Sequence, residues 1–161
     1  MEKATFGAGC FWGVEHFFRE VPGVSAAISG YSGGHAERPT YRQVCSGATN
    51  HAEVVEVTFD PAKVSYATLV DLFFKMHDPT TMNRQGPDVG TQYRSAIFTH
   101  SPEQERVAKE RLEAAKSRFK RPIVTVVEPA QTFWPAEDYH QRYFEKNGGS
   151  CHVSYAEVAN Q

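Results

Sequence analysis

Lys3-Ala4-Thr5-Phe6-Gly7-Ala8-Gly9-Cys10-Phe11-Trp12-Gly13-Val14 hands the chain from a strand to a helix. Lys3 to Gly7 reads as a short strand. Val14, Phe17, Phe18 and Val21 then fall at helical spacing until Pro22-Gly23 ends the pattern. Cys10 stands at the turn between them, at a helix N-terminus. The positive end of the helix dipole and the open backbone N–H groups there favour a thiolate, the nucleophilic form, so moderate acidification is expected. Phe11 and Trp12 follow at once, between Gly9 and Gly13. Small flanks let a substrate approach the backbone, and the aromatics offer walls for an apolar pocket.

Outward from this turn, Val24, Ala26 and Ile28 alternate with Ser25, Ala27 and Ser29, the pattern of a second strand. Tyr31 to about His51 shows no period and carries Gly33-Gly34, Pro39 and Gly47. A loop of that length in a compact domain is often functional. Val54 to Phe59 is a third strand, closed by Asp60-Pro61. Tyr66, Leu69, Val70 and Phe73 share one face of a second helix, stopped at His77-Asp78-Pro79. An irregular stretch from Thr80 to Gln92 leads to a fourth strand around Arg94 to Thr99. Ser101-Pro102 opens a long third helix with the apolar stripe Ala108, Leu112, Ala115 and Phe119. Ile123 to Val127 reads as a fifth strand, Pro135 to Phe144 as a short helix, and Asn147-Gly148-Gly149-Ser150 as a mobile hinge.

The order β-α-β-β-α-β, then α-β, predicts an α+β fold: a ferredoxin-like split βαβ two-layer sandwich with an extra α-β and an irregular C-terminal tail. The 161 residues contain no internal repeat or linker, so a single domain over 1–161 is expected, with a mobile tail from about 146 carrying Cys151. A net charge of −2 gives no general attraction to nucleic acid or an anionic membrane. No apolar run approaches bilayer-spanning length, and no signal-peptide core opens the chain, so a cytoplasmic location is expected. Three cysteines without a Cys-x-x-Cys pair argue against a structural zinc site and a disulfide framework.

Among the residues that could carry chemistry, strand parity places Glu53 with Val55, Val57 and Phe59, opposite Glu56 and Thr58. It either points into the core with a raised pKa or frays into water at the strand's start. Tyr41 and Tyr93 border the irregular segments. Either can stabilise developing negative charge or simply pack. Asp88 lies in Gly86-Pro87-Asp88-Val89-Gly90, a turn composition. Cys45 is expected to be a small buried hydrophobe. Cys151, beyond the glycine-rich hinge, is either a resolving thiol or an incidental one. His51, His77, His140 and His152 lack metal-ligand spacing and read as surface or hydrogen-bonded histidines. Gly7-x-Gly9-x-x-x-Gly13 imitates a dinucleotide-binding turn, but the acidic residue such a site needs is missing from Ser29-Gly30-Tyr31-Ser32.

These pieces together resemble the peptide methionine sulfoxide reductase A family. The carriers are Gly9-Cys10-Phe11-Trp12-Gly13, Pro39-Thr40-Tyr41 with His51-Ala52-Glu53, the run Asp88-Val89-Gly90-Thr91-Gln92-Tyr93-Arg94-Ser95, and Phe133-Trp134 with Ala136-Glu137-Asp138-Tyr139-His140-Gln141. The resemblance implies Cys10 as nucleophile and Phe11 and Trp12 as the pocket for the sulfoxide methyl. It implies Glu53, Tyr41 and Tyr93 around the sulfoxide oxygen, with Asp88 as a polar supporter. It further implies specificity for the S epimer, Cys151 as resolving cysteine, and recycling by thioredoxin, or by dithiothreitol in vitro, with no metal or organic cofactor. Many members carry Asn-Pro before the resolving cysteine; here Gly148 follows Asn147. Two other readings of the residues stay open: a cysteine hydrolase or acyl transferase, which needs a histidine base beside Cys10, and a thiol redox sensor switching between Cys10 and Cys151.

Overall fold

Strand β1 (Glu2–Ala8) runs through the middle of a six-stranded sheet, buried from Ala4 onward. The computed structural model describes residues 1–148 and 155–159. Among them the sheet order is β7 (Val126–Pro129), β6 (Ser95–Thr99), β1, β3 (Ala52–Phe59), β2 (Val24–Ser32), β8 (Trp134–Pro135). β3 lies antiparallel to β1, with Phe6 opposite Val55, and β6 flanks β1 on its other side, with Phe6 opposite Ile97. β2 pairs with β3, and β8 with β2, both antiparallel. β7 joins β6 in parallel after the crossover helix α4 (Pro102–Ala115). This antiparallel centre removes the doubly wound sheet that a dinucleotide site would need.

α1 (Phe11–Arg19) and α3 (Tyr66–Met76) share one apolar core with the sheet, in which Phe6 stacks on Phe18 at 5.0 Å and on Phe73 at 5.2 Å. A smaller cluster of Ala52, Val54, Ala96 and Phe98 is covered by Val126, Ala130 and Phe133. Helix starts follow their caps: Ser65 accepts from the Thr68 N–H, and Ser101 from the Gln104 N–H with Pro102 in the first turn. Among the described residues no helix is long and apolar enough to cross a membrane.

Several expectations are corrected. The long loop contains a one-turn helix, α2 (Tyr41–Cys45). The stretch before β6 holds a small hairpin, β4 (Arg84–Gln85) with β5 (Asp88–Val89), and a 3₁₀ turn at Thr91–Tyr93. The strand expected at Ile123 begins at Val126, because the Val124 N–H is spent on the Pro79 carbonyl. α4 stops at Ala115, short of Phe119. The helix expected over 135–144 does not form: Trp134–Pro135 joins the sheet, a 3₁₀ turn spans Asp138–His140, and Arg142 takes φ +53° before α5 (Tyr143–Asn147). Asn147, expected in a hinge, closes that helix, with its Nδ2 donating to the Tyr143 carbonyl. The tail is also not wholly irregular. α6 (Tyr155–Ala159) is helical, and Val158 is buried in the main core. Cys151 and His152 lie outside the described residues.

Candidate active site

Cys10 occupies the N-cap position of α1, where β1 hands over to the helix. The preceding Gly9 has φ +96°, and a Cβ there would stand 2.8 Å from the Gln85 side chain, so both backbone and space demand glycine. The next residue along links the thiol's helix to the acid. The Phe11 N–H, one of the open donors of the first turn, donates to Glu53 Oε1 at 3.2 Å.

Of the two orientations that its place at the strand's start left open, Glu53 takes the inward one and is 1% exposed. Its other oxygen, Oε2, is buried and meets no hydrogen-bond partner among the described residues. Burial pushes its pKa up to about 8, against the Phe11 N–H, and nearby Asp88 pushes in the same direction as burial. Glu53 thus holds a proton through neutral pH. Asp88 does more than turn a loop: on β5 it supplies negative charge beside this acid.

Tyr41 and Tyr93 both feel burial first and the Glu53 charge second, which raises Tyr41 far and Tyr93 to about 12. Both phenols therefore stay protonated as O–H donors. Cys45 corrects the sequence reading. It is exposed, and its thiol lies within hydrogen-bond reach of Tyr41, Gln92 and Tyr93. Burial of the sulfur among these groups raises its pKa, and the Glu53 charge adds to the effect.

The two aromatics after Cys10 separate in role. Phe11 is fully buried, within 5.6 Å of the Tyr31 ring and 5.2 Å of the His140 ring. Trp12 is half-buried and lies flat against Tyr143, with centroids 3.8 Å apart and planes 7° apart. Sequence reasoning gave no site role to two residues behind this wall, although it read His140 as a surface or hydrogen-bonded histidine. Glu137 accepts from the Tyr31 hydroxyl at 2.9 Å and from the Tyr41 N–H at 3.0 Å. Burial opposes its ionisation, but the Tyr41 N–H and its other hydrogen bonds outweigh that and hold it below the usual carboxylate range. His140, 1% exposed, accepts the Trp12 indole N–H on Nδ1 at 2.9 Å. Both lie in the Phe133 to Gln141 signature, which was the available signal.

A cysteine at a helix start stands with a proton-bearing buried carboxyl and two protonated phenols, the kind of constellation enzymes use. The family model described as Peptide methionine sulfoxide reductase matches residues 2–161, and the chain belongs to that family and has its reductase activity. The peptide methionine sulfoxide reductase MsrA of Methanoculleus marisnigri is 62% identical over 152 residues, 92% of each chain. Mxr1 from Saccharomyces cerevisiae in reduced form superposes with a TM-score of 0.90 at 38% identity, covering 95% of this chain and 91% of that one. Mxr1 in complex with Trx2 matches with a TM-score of 0.66 at 27% identity, over 95% of this chain and 88% of that one.

Proposed function

We propose that Cys10 attacks the sulfur of a methionine S-sulfoxide, free or in a protein, while Glu53 protonates the departing oxygen. The observation that carries this reading is the division of labour within one carboxyl group. Oε1 is committed to the Phe11 N–H, while Oε2 is buried without a partner among the described residues and Glu53 holds its proton to about pH 8. A proton on Oε2 is a donor in want of an acceptor, and a sulfoxide oxygen is one. Tyr41 and Tyr93 donate to the same oxygen as charge builds on it. Trp12 receives the S-methyl group, Phe11 backs it from the core, and Asp88 keeps Glu53 protonated.

The balance is a two-electron exchange. Attack forms a bond between Cys10 Sγ and the substrate sulfur while the protonated S–O bond breaks. Addition of hydroxide-level oxygen to Cys10 Sγ then breaks the S–S bond, releasing the thioether and leaving a sulfenic acid on Cys10. The proton given by Glu53 is matched by the one Cys10 gave up. Cys151 then condenses with the sulfenic acid, releasing water and forming a disulfide. The dithiol of thioredoxin reduces it, as suggested by the relative found in complex with Trx2. All of this is assigned to one catalytic domain over 1–161 in the cytoplasm. We read the strands in order β6-β1-β3-β2 as the ferredoxin-like core, with α4 and β7 as the added α-β unit. The hydrolase alternative needs a histidine base beside Cys10, and His140 cannot serve through Nδ1, which accepts the Trp12 indole N–H.

Single-turnover release of methionine tests the chemistry without recycling. Cys10→Ser should release none, and Glu53→Gln should be slowed about 100-fold or more. A Glu53→Gln enzyme as fast as wild type would remove Glu53 as the proton source. With thioredoxin as reductant, Cys151→Ser should release about one equivalent per chain and stall, whereas Cys45→Ser should keep cycling. A Cys10–Cys45 disulfide after one turnover would assign resolution to the thiol beside the phenols.

A further inference from the structure

We infer that His140 is a positioning residue for the reductase: it fixes the Trp12 indole at the substrate pocket by accepting its N–H on Nδ1. The inference rests on the reading of Trp12 as the wall for the S-methyl group. Three observations carry it. The bond is short, 2.9 Å between Trp12 Nε1 and His140 Nδ1, and joins residues 128 apart in sequence. The imidazole has almost no freedom to leave: it is 1% exposed and lies 4.3 Å from the Tyr41 ring, 4.2 Å from the Tyr139 ring and 5.2 Å from the Phe11 ring. Its other nitrogen, Nε2, is buried without a partner among the described residues.

The indole N–H can only donate, so Nδ1 must be unprotonated, and the neutral ring carries its proton on Nε2. Trp12 is then held on two sides, by Tyr143 against its face and His140 at its edge. Sliding along Tyr143 costs little; losing the acceptor of a part-buried N–H costs more. Protonation of His140 would set N–H against N–H and release the indole. The titratable groups packed on the ring are Glu137 and Tyr139 from its own turn and Tyr41 from α2, while α1 adds Phe11 and Trp12. Burial lowers the His140 pKa, and Glu137 only partly opposes this.

Two measurements test the inference. In wild type, the indole N–H resonance of Trp12 should move as His140 titrates in acid, while that of Trp134 should not follow the same midpoint. A Trp12 resonance indifferent to His140 overturns the inference outright, whatever Trp12 does in catalysis. In single-turnover kinetics, His140→Phe keeps the ring but removes the acceptor, and should lower kcat/KM about tenfold. His140→Asn, which returns an acceptor near the Nδ1 position, should recover much of that loss. In a Trp12→Phe background, with no N–H to hold, His140→Phe should cost almost nothing further. An equal cost in both backgrounds would make His140 ordinary packing. If the resonances are coupled but Trp12→Phe alone leaves the step unchanged, the pocket reading of Trp12 fails, and with it the catalytic reach of this bond.

Discussion

Glu53 and Glu137 flank Tyr41 from two sides in opposite protonation states. Burial and Asp88 keep a proton on Glu53, while N–H and O–H donors gather on Glu137 and keep it ionised. The sign of the pH effect follows. A proton donor works only while protonated, so the single-turnover rate should fall as pH rises through about 8 and lose that limb in Glu53→Gln. Stability follows the same group. A carboxyl whose folded pKa is raised contributes most below its unfolded value and loses that contribution as pH climbs to its folded value. Wild type should therefore lose ground to Glu53→Gln between about pH 4.5 and 8, by at most about 1.4 kcal/mol per pH unit, and hold level above. Urea unfolding at several pH values checks this, and a constant gap between the two proteins would contradict a protonated Glu53. The face on which Glu53 stands was legible because strand alternation is local, but not whether the strand's first residues stay in the sheet or fray. The place of Cys45 was not: its neighbours Gln92 and Tyr93 arrive from the far side of β3 and α3.

α2 is the element on which the phenol Tyr41 depends. Five residues are too few to show a hydrophobic period, so the segment read as loop. Its start signal was nonetheless present in Thr40-Tyr41-Arg42-Gln43. Thr40 Oγ1 accepts from the Gln43 N–H at 3.2 Å and Gln43 Oε1 from the Thr40 N–H at 2.9 Å, a reciprocal capping box. Removing the hydroxyl by Thr40→Ala should cost about 1 kcal/mol and slow the reductase step severalfold by loosening Tyr41, whereas Thr40→Asn should preserve both. Thermal melts beside single-turnover rates separate the two effects, and unchanged rates in a destabilised Thr40→Ala protein would detach the cap from catalysis. Where the cap and the period were both long, as in α4, the reading from sequence was good to within a few residues. Where an apolar run was diverted by one distant hydrogen bond, as at Val124, it was not.

Across the whole molecule, the chain from Trp134 to Asn147 returns to lie along α1 and β2, tied by groups no sequence period reveals. Glu15 is 1% exposed and gathers the Ser29 hydroxyl at 2.7 Å, the Arg19 Nε at 2.9 Å and the Arg142 N–H at 2.9 Å. Glu15→Ala would strand these donors and should cost about 3–5 kcal/mol in urea unfolding. Glu103→Ala, which breaks an exposed pair with Arg106 on α4, should leave the transition almost where it was. A small effect at Glu15 would mean the return segment is held by its aromatic contacts alone. The same demand for buried partners explains why Ser29 and not Ile28 faces inward on β2: Ile28 is left 38% exposed after the register shift between Val24 and Ala26. On the outer side of β2, the Ala27 carbonyl takes the Arg19 guanidinium at 2.6 Å. At Ser29, the Gln141 amide accepts the N–H at 3.0 Å and donates to the carbonyl at 2.9 Å, as a neighbouring strand would. Beyond it, β8 closes Gly30 and Tyr31 with two residues and ends in a proline. A sheet margin sealed in this way offers no ladder for a foreign strand to extend. On the β2 side of the sheet, an incoming polypeptide therefore finds the backbone groups from Ala27 to Tyr31 already taken.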